Sequence, residues 1–199
     1  MTQTGVVYSR TVGGSEHTFG VSGRLYKSNV LLYDHQTESL WSQLMDKAIT
    51  GPAVGQNLSV LPSSRIKWKT WRQRNPGTRV LSDDTGFYRD YSIDPYEGYY
   101  RIGSLMFPVG DVRQDMAAKE PVLGILIENH AKAYRMDWLR NHPGTHHDQV
   151  GKHPVRIEVS PEGEVVAVRD KQGNVIPATN SYWFAWQAFH RETEVYNAE

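Results

Sequence analysis

Short apolar runs rich in Val, Ile, Leu, Tyr and Phe recur along the chain between polar, glycine-bearing segments: Val6-Val7-Tyr8, Thr18-Phe19-Gly20-Val21, Val30-Leu31-Leu32-Tyr33, Val122 to Ile127, Val155 to Val159 and Val165 to Val168. Runs of this length and composition fit half-buried strands. The turns agree. Val12-Gly13-Gly14 and Lys171-Gln172-Gly173-Asn174 lie between strand-like runs, and Pro161-Glu162-Gly163-Glu164 separates two of them as a hairpin would. The pattern predicts a meander of antiparallel strands.

Helical spacing is confined to two places. Ser63 or Ser64 can cap a helix running from Arg65 to about Arg74, which Asn75-Pro76-Gly77 then stops. Trp68 and Trp71 sit one turn apart, which predicts that their aromatic face pins the helix to the sheet, with Arg65, Lys67, Lys69, Arg72 and Arg74 on the solvent side. A second short helix is expected from Arg135 to Arg140, ending at Asn141-His142-Pro143-Gly144. The stretch from Ser82 to Phe107 reads as a long connection whose aromatics, among them Phe87, Tyr88, Tyr91 and Tyr96, argue against disorder.

Two pairs of segments resemble each other. Val6 to Arg10 with Gly13 parallels Val165 to Arg169 with Gly173, and Tyr33-Asp34-His35-Gln36-Thr37-Glu38 parallels Phe189-His190-Arg191-Glu192-Thr193-Glu194. The expectation is therefore a mainly β protein: two related antiparallel β units, sandwich or barrel-like, with one or two short helices. Residues 1–118 would form the first unit, with the central helix and the aromatic connection, and residues 119–199 the second, packed separately or as one domain. Nothing before Val6 matches the strands that introduce the second unit. The first unit should thus begin at an open sheet edge, to be covered by the second unit or by self-association.

Composition narrows the chemistry. With 199 residues, 39% hydrophobic and 22% charged, the chain can bury a real core. Its 22 basic and 22 acidic residues balance, so no global field favours nucleic acid or an anionic membrane. There are no cysteines, which excludes disulfides, thiolate metal sites and cysteine nucleophiles. No apolar run approaches the roughly 20 residues a membrane helix needs. Gly-x-Ser-x-Gly, phosphate-binding glycine loops, dinucleotide fingerprints and His-Glu-x-x-His are all missing.

Longer blocks carry a resemblance. Thr18 to Asn29, Tyr33 to Gln43, Val80-Leu81-Ser82, Thr85 to Tyr91, Asp94-Pro95-Tyr96 and Lys119 to Ile125 together resemble the bacterial DUF3179 family, in the family's order from residue 5 to about 160. The family is a domain of unknown function, so the resemblance supplies a pattern and no activity. It implies a relative of proteins that are often longer, frequently exported, and carry a first repeat ending in Tyr-Cys-Pro-Leu. That segment is absent here, which implies a truncated or divergent member. An exported or periplasmic setting follows from the resemblance alone, since Met1-Thr2-Gln3-Thr4-Gly5 is no signal peptide.

Two constellations are candidates for function. Tyr33, Trp41 and nearby Tyr26 offer aromatic walls, and Asp34, Ser42 and Gln43 offer polar groups. Arg89, Asp90 and Tyr91 would add a carboxylate or phosphate clamp. These residues suit a small polar or sugar-like ligand; the competing reading makes Asp34 a turn cap and Trp41 core. The second constellation is histidine-rich. His146, His147 and Asp148, with His142 and His153 nearby, are candidate ligands for a divalent transition metal. Adjacent histidines on a strand face opposite ways, so only a loop, or a ligand such as His130 or His190 from elsewhere, closes that site. The competing reading is a solvated loop. Asp83, Asp84, Asp94 and Glu97 do not match the EF-hand spacing for calcium. The function expected first is a non-catalytic domain binding a small polar ligand or a protein partner, without nucleic acid or membrane. The alternatives are a metal-dependent enzyme using the histidine loop, and a structural module that pairs with a missing N-terminal partner.

Overall fold

A computed structural model describes residues 1–197. The first half holds β1 (Val7–Tyr8), β2 (Thr11–Val12), β3 (Ser15–Glu16), β4 (Phe19–Tyr26), β5 (Asn29–Asp34), β6 (Leu40–Ser42), β7 (Lys47–Thr50) and β8 (Val60–Leu61), then α1 (Trp68–Arg74) and α2 (Glu97–Arg101). The second half holds β9 (Pro121–Ile127), β10 (His130–Arg135), α3 (Met136–Asn141), β11 (Gly144–Val150), β12 (His153–Val159), β13 (Val165–Arg169), β14 (Thr179–Tyr182), α4 (Trp183–Phe189) and β15 (Glu194–Val195). The protein is mainly β, built from several antiparallel sheets with four short helices. Among the described residues no sheet closes into a barrel.

Strands β4 to β7 form an antiparallel meander, β11 to β13 form another, and β14-β9-β10-β15 form a third sheet in which β15 joins β10 in parallel. Side chains alternate along β9. Leu123 and Ile125 enter one core with Tyr134, Ile157 and Leu139, while Val122 enters another with Ala133, Trp183 and Trp186. One face of the sheet thus packs on the β11–β13 meander and the other on α4. Gly124 is required by the second contact, because a β-carbon there would lie 2.4 Å from the Trp186 ring. Leu44, Val109 and Met116 join this same core, so both halves of the chain share it.

The chain start runs beside β14. Gly5 bridges Asn180, the Tyr182 amide donates to the Thr2 carbonyl (2.8 Å), and β1 pairs with β8. On either side of Val6, Gly5 thus meets the second half of the chain and Val7–Tyr8 meets β8 of the first.

Three expectations need correction. Helix α1 ends where predicted but begins at Trp68 rather than Arg65, and Trp68 and Trp71 are 49% and 43% exposed and none of its residues is buried. Its start has no cap from Ser63 or Ser64; a carboxylate from the second half fills that role, as described below. Helix α3 lies one residue beyond the predicted bounds, while α2 and α4 were not foreseen. The apparent repeat joins unlike structures. Tyr33-Asp34 ends strand β5, whereas Phe189 ends helix α4; Val7–Tyr8 is a two-residue ribbon, whereas Val165–Arg169 is a full strand. Short apolar patterns of this kind take the form their tertiary neighbours impose.

Candidate functional site

The β12–β13 turn is the starting point. Gly163 donates its amide to the Ser160 carbonyl (2.9 Å), with φ at +74°, and the turn rests on the end of α3: a β-carbon at Gly163 would meet the Arg140 carbonyl oxygen at 2.8 Å. This close approach brings Arg140 beside the turn and places Glu164 at the start of β13. The Glu164 side chain points away from water; the residue is 5% exposed. Its Oε1 accepts from the Lys67 amide (2.7 Å) and the Thr70 hydroxyl (3.2 Å), so this distant carboxylate caps α1. The Ser64 hydroxyl donates to the Val166 carbonyl, which fastens the approach to α1 along β13. Arg65 then reaches the chain start, donating to Gln3 Oε1 (2.8 Å).

Between these pieces lies a cavity of about 470 Å³. Arg65, Lys67 and Arg140 supply positive charge, Glu162 and the buried Glu164 supply carboxylates, and Asn180 and Ser181 neutral polar groups, against an apolar wall that includes Val122 and Met136. Glu164 Oε2 is buried without a hydrogen-bond partner among the described residues. Burial pushes the neighbouring Tyr182 phenol upward, with Arg65 pulling partly back, so Tyr182 stays a neutral hydroxyl.

A smaller cavity, about 100 Å³, is lined by Gln43, Asp46, Trp186 and His190. The His190 ring lies 4.0 Å from that of Trp186, and burial lowers its pKa to about 4. Beside it, the single Tyr8 hydroxyl proton faces two acceptors, the Gln43 carbonyl and Asp46 Oδ1. Burial raises the Asp46 carboxyl, against the opposing effect of the Tyr8 hydrogen bond.

The residues singled out from the sequence fall into separate places. Asp34 is wholly buried and accepts from Trp41 Nε1 (2.8 Å), the Thr37 amide (2.6 Å) and the Thr37 hydroxyl (2.7 Å), with His17 Nδ1 at 3.3 Å. Trp41 is equally buried and Ser42 nearly so, which makes this cluster a structural network at the end of β5. Tyr33 faces outward over Gly20, where a β-carbon would meet its ring at 2.6 Å. Gln43 belongs to the smaller cavity. Arg89, Asp90 and Tyr91 stand on the exposed segment before α2: the Arg89 guanidinium lies 5.9 Å from the Tyr91 ring centre, and Asp90 accepts from the Ser92 amide and hydroxyl. The enclosed Asp34–Trp41 set and the exposed Arg89–Tyr91 set do not form one pocket.

His146 and His147 lie on β11 rather than in a loop, while His142 follows α3 and His153 begins β12. His146 is held by the Trp138 ring and by a 2.7 Å hydrogen bond between its Nε2 and the His142 carbonyl; His147 is the next residue along the strand. Asp148 accepts from the Tyr134 hydroxyl (2.8 Å) and pairs with Lys132 (2.7 Å). Among the described residues no group of three or more histidines and carboxylates is arranged to hold a metal ion. Nor, among them, is any helix long and apolar enough to cross a membrane.

Sequence reasoning missed Glu164, Arg65 and Arg140 as partners. The Glu-Gly-Glu of the hairpin read only as a turn, and Arg65 only as a solvent-facing helix residue. A glycine flanked by carboxylates was the available signal, but its contact with Arg140 is tertiary. No curated protein and no solved structure matches the chain. The family model described as a protein of unknown function, DUF3179, matches residues 1–193, and the chain belongs to that family.

Proposed function

We propose that this protein is a non-catalytic binding domain for a small polar ligand, seated in the cavity enclosed by the β12–β13 turn, the end of α3, the approach to α1 and the start of β14. One observation carries the reading: residues of both charge signs, Arg65, Lys67 and Arg140 with Glu162 and Glu164, line a single space. The volume falls within the roughly 300–1,000 Å³ of small-molecule sites, and an apolar wall with a few convergent polar groups is the common composition of such sites. The wall covers hydrocarbon while the charged groups fix orientation.

Thermal unfolding of the whole chain against separate panels of sugars, sugar acids, carboxylates and amino acids tests this. At least one class should raise the midpoint in a concentration-dependent manner, since a ligand that binds only the folded state stabilises it. Arg140→Ala, at a half-exposed position, should reduce that shift while leaving the unliganded midpoint close to that of the parent. No shift with any class, or a shift unchanged in both Arg140→Ala and Arg65→Ala, overturns the proposal.

A further inference from the structure

We infer that the segment from α1 to Leu81 docks on the surface of an anionic phospholipid bilayer. Trp68, Trp71, Val80 and Leu81 would enter the headgroup boundary, and Lys69, Arg72 and Arg79 would meet lipid phosphates. The balanced total charge conceals a local excess: residues 65–89 hold seven lysines and arginines against two carboxylates, Asp83 and Asp84. Among the described residues, none of the seven forms an ion pair.

Packing decides which of these cations face outward. The Lys67 amide and the Thr70 hydroxyl lie against Glu164. Glu162, on the same hairpin, has its carboxyl lowered first by a bond to Ser160 and last by Arg74 and Lys67. These two carboxylates therefore answer the side of the helix that carries Lys67, Thr70 and Arg74. At 3.6 residues per turn, Trp68, Lys69 and Arg72 fall on the opposite side, and all three are exposed. Trp71, on the flank between, is held in place: its indole N–H donates to the Thr78 hydroxyl (2.9 Å), and the Thr78 amide donates to the Asn75 carbonyl (3.0 Å). The chain thus turns at the end of α1, and Arg79, Val80 and Leu81 follow directly on the residue that holds the Trp71 ring. Leu81 is 97% exposed.

Apolar side chains set among unpaired cations suit a lipid surface. Indoles seat at the headgroup level, while lysine and arginine stems lie along hydrocarbon with their charges on phosphate. Single-stranded nucleic acid also joins cations to aromatic rings, but Val80 and Leu81 offer a base no stacking face. Asp83 and Asp84 oppose any anionic partner, and they set the limit of the patch beyond Leu81.

Flotation of the whole chain with vesicles of phosphatidylcholine, alone or mixed equally with phosphatidylglycerol, tests this. Mixed vesicles should bind about tenfold or more tighter, with the preference shrinking as salt rises. Acyl chains brominated near the headgroup should quench part of the tryptophan fluorescence. Lys69→Gln combined with Arg72→Gln should erase the preference, Leu81→Ser should weaken binding, and Trp68→Phe combined with Trp71→Phe should remove the quenching. All five positions are exposed, so thermal midpoints should stay close to that of the parent. No binding to mixed vesicles, equal binding to both kinds, a preference that survives the Lys69 and Arg72 changes, or quenching that survives loss of both indoles overturns the inference. Binding of a polythymidine oligonucleotide without binding of vesicles also overturns it, and assigns the patch to single-stranded nucleic acid.

Discussion

Gly163 and Arg140 touch backbone to backbone, at a distance that leaves no room for a β-carbon on residue 163. The turn that presents Glu164 and the helix end that presents Arg140 are therefore packed together through main chain.

Gly163→Ala breaks that packing in two ways. Its φ of +74° costs a residue with a β-carbon about 1–2 kcal/mol, and the 2.8 Å approach to the Arg140 carbonyl forces the turn outward. Urea unfolding should show a loss of at least about 1 kcal/mol. A midpoint equal to that of the parent would show that the turn can rest elsewhere.

Asp34 should produce an acid limb in stability. Burial pushes its carboxyl up, but bonds from the Trp41 indole, the Thr37 hydroxyl and amide, and His17 outweigh this and hold it at about 2. A folded pKa below the unfolded value of 3.8 means the stabilisation is complete above the unfolded value and is lost as pH falls through the folded one. Denaturation midpoints should thus drop between about pH 4 and pH 2, and Asp34→Asn should be less stable at neutral pH with a flatter profile over that interval. A parallel acid limb in the variant would assign it to other carboxylates.

His190 acts in a separate window. Burial lowers its pKa from 6.5 to about 4, so between those values the unfolded chain binds a proton that the folded chain does not. Stability therefore falls as pH drops from about 6.5 toward 4, by on the order of 3 kcal/mol. His190→Phe should remove this slope, and nuclear magnetic resonance titration of the ring should find it neutral at pH 6. A ring that protonates near 6.5 in the folded protein would contradict this.

The two tryptophan environments predict opposite outcomes. Trp71 is exposed and donates its indole N–H to the Thr78 hydroxyl, so Trp71→Ala should cost no more than about 1 kcal/mol. Trp41→Ala removes a fully buried ring and the bond to Asp34, and should cost about 3–5 kcal/mol or abolish folding. Chemical denaturation of the two variants side by side is the check.

These contrasts show what local sequence encodes. The strands were legible because alternation is a property of neighbouring residues: Leu31 and Tyr33 do face one way, with Leu32 and Asp34 the other. The position of α1 was legible for the same reason, but its orientation was not, because Glu164 fixes it from 97 positions beyond Lys67. Helix α4 escaped notice because Trp183 through Ala188 are all buried, so it lacks the polar face that gives a helical period its contrast. Asp34 and Trp41 suit a ligand wall and a turn cap beside a core ring equally well in sequence, and their burial and mutual hydrogen bond match the second. Sequence shows that such residues can meet and not whether water reaches them. The candidate cavity draws its charges from the chain near residues 65, 140 and 164, and no local pattern links those.

The pairing of the chain start with β14 also bears on the order of events during synthesis. Thr4 and Ser181, whose hydroxyls lie 3.0 Å apart, are separated by 177 positions. A ribosome releases Thr2 to Gly5 early and their partners very late, so these residues wait unpaired while the intervening sheets assemble. Closing so long a loop comes after the local meanders have formed. The seam beside β14 should therefore gain protection from proteases in a nascent chain later than the β4–β7 meander, and Arg65, which is tied to Gln3 across that seam, reaches its final position only then.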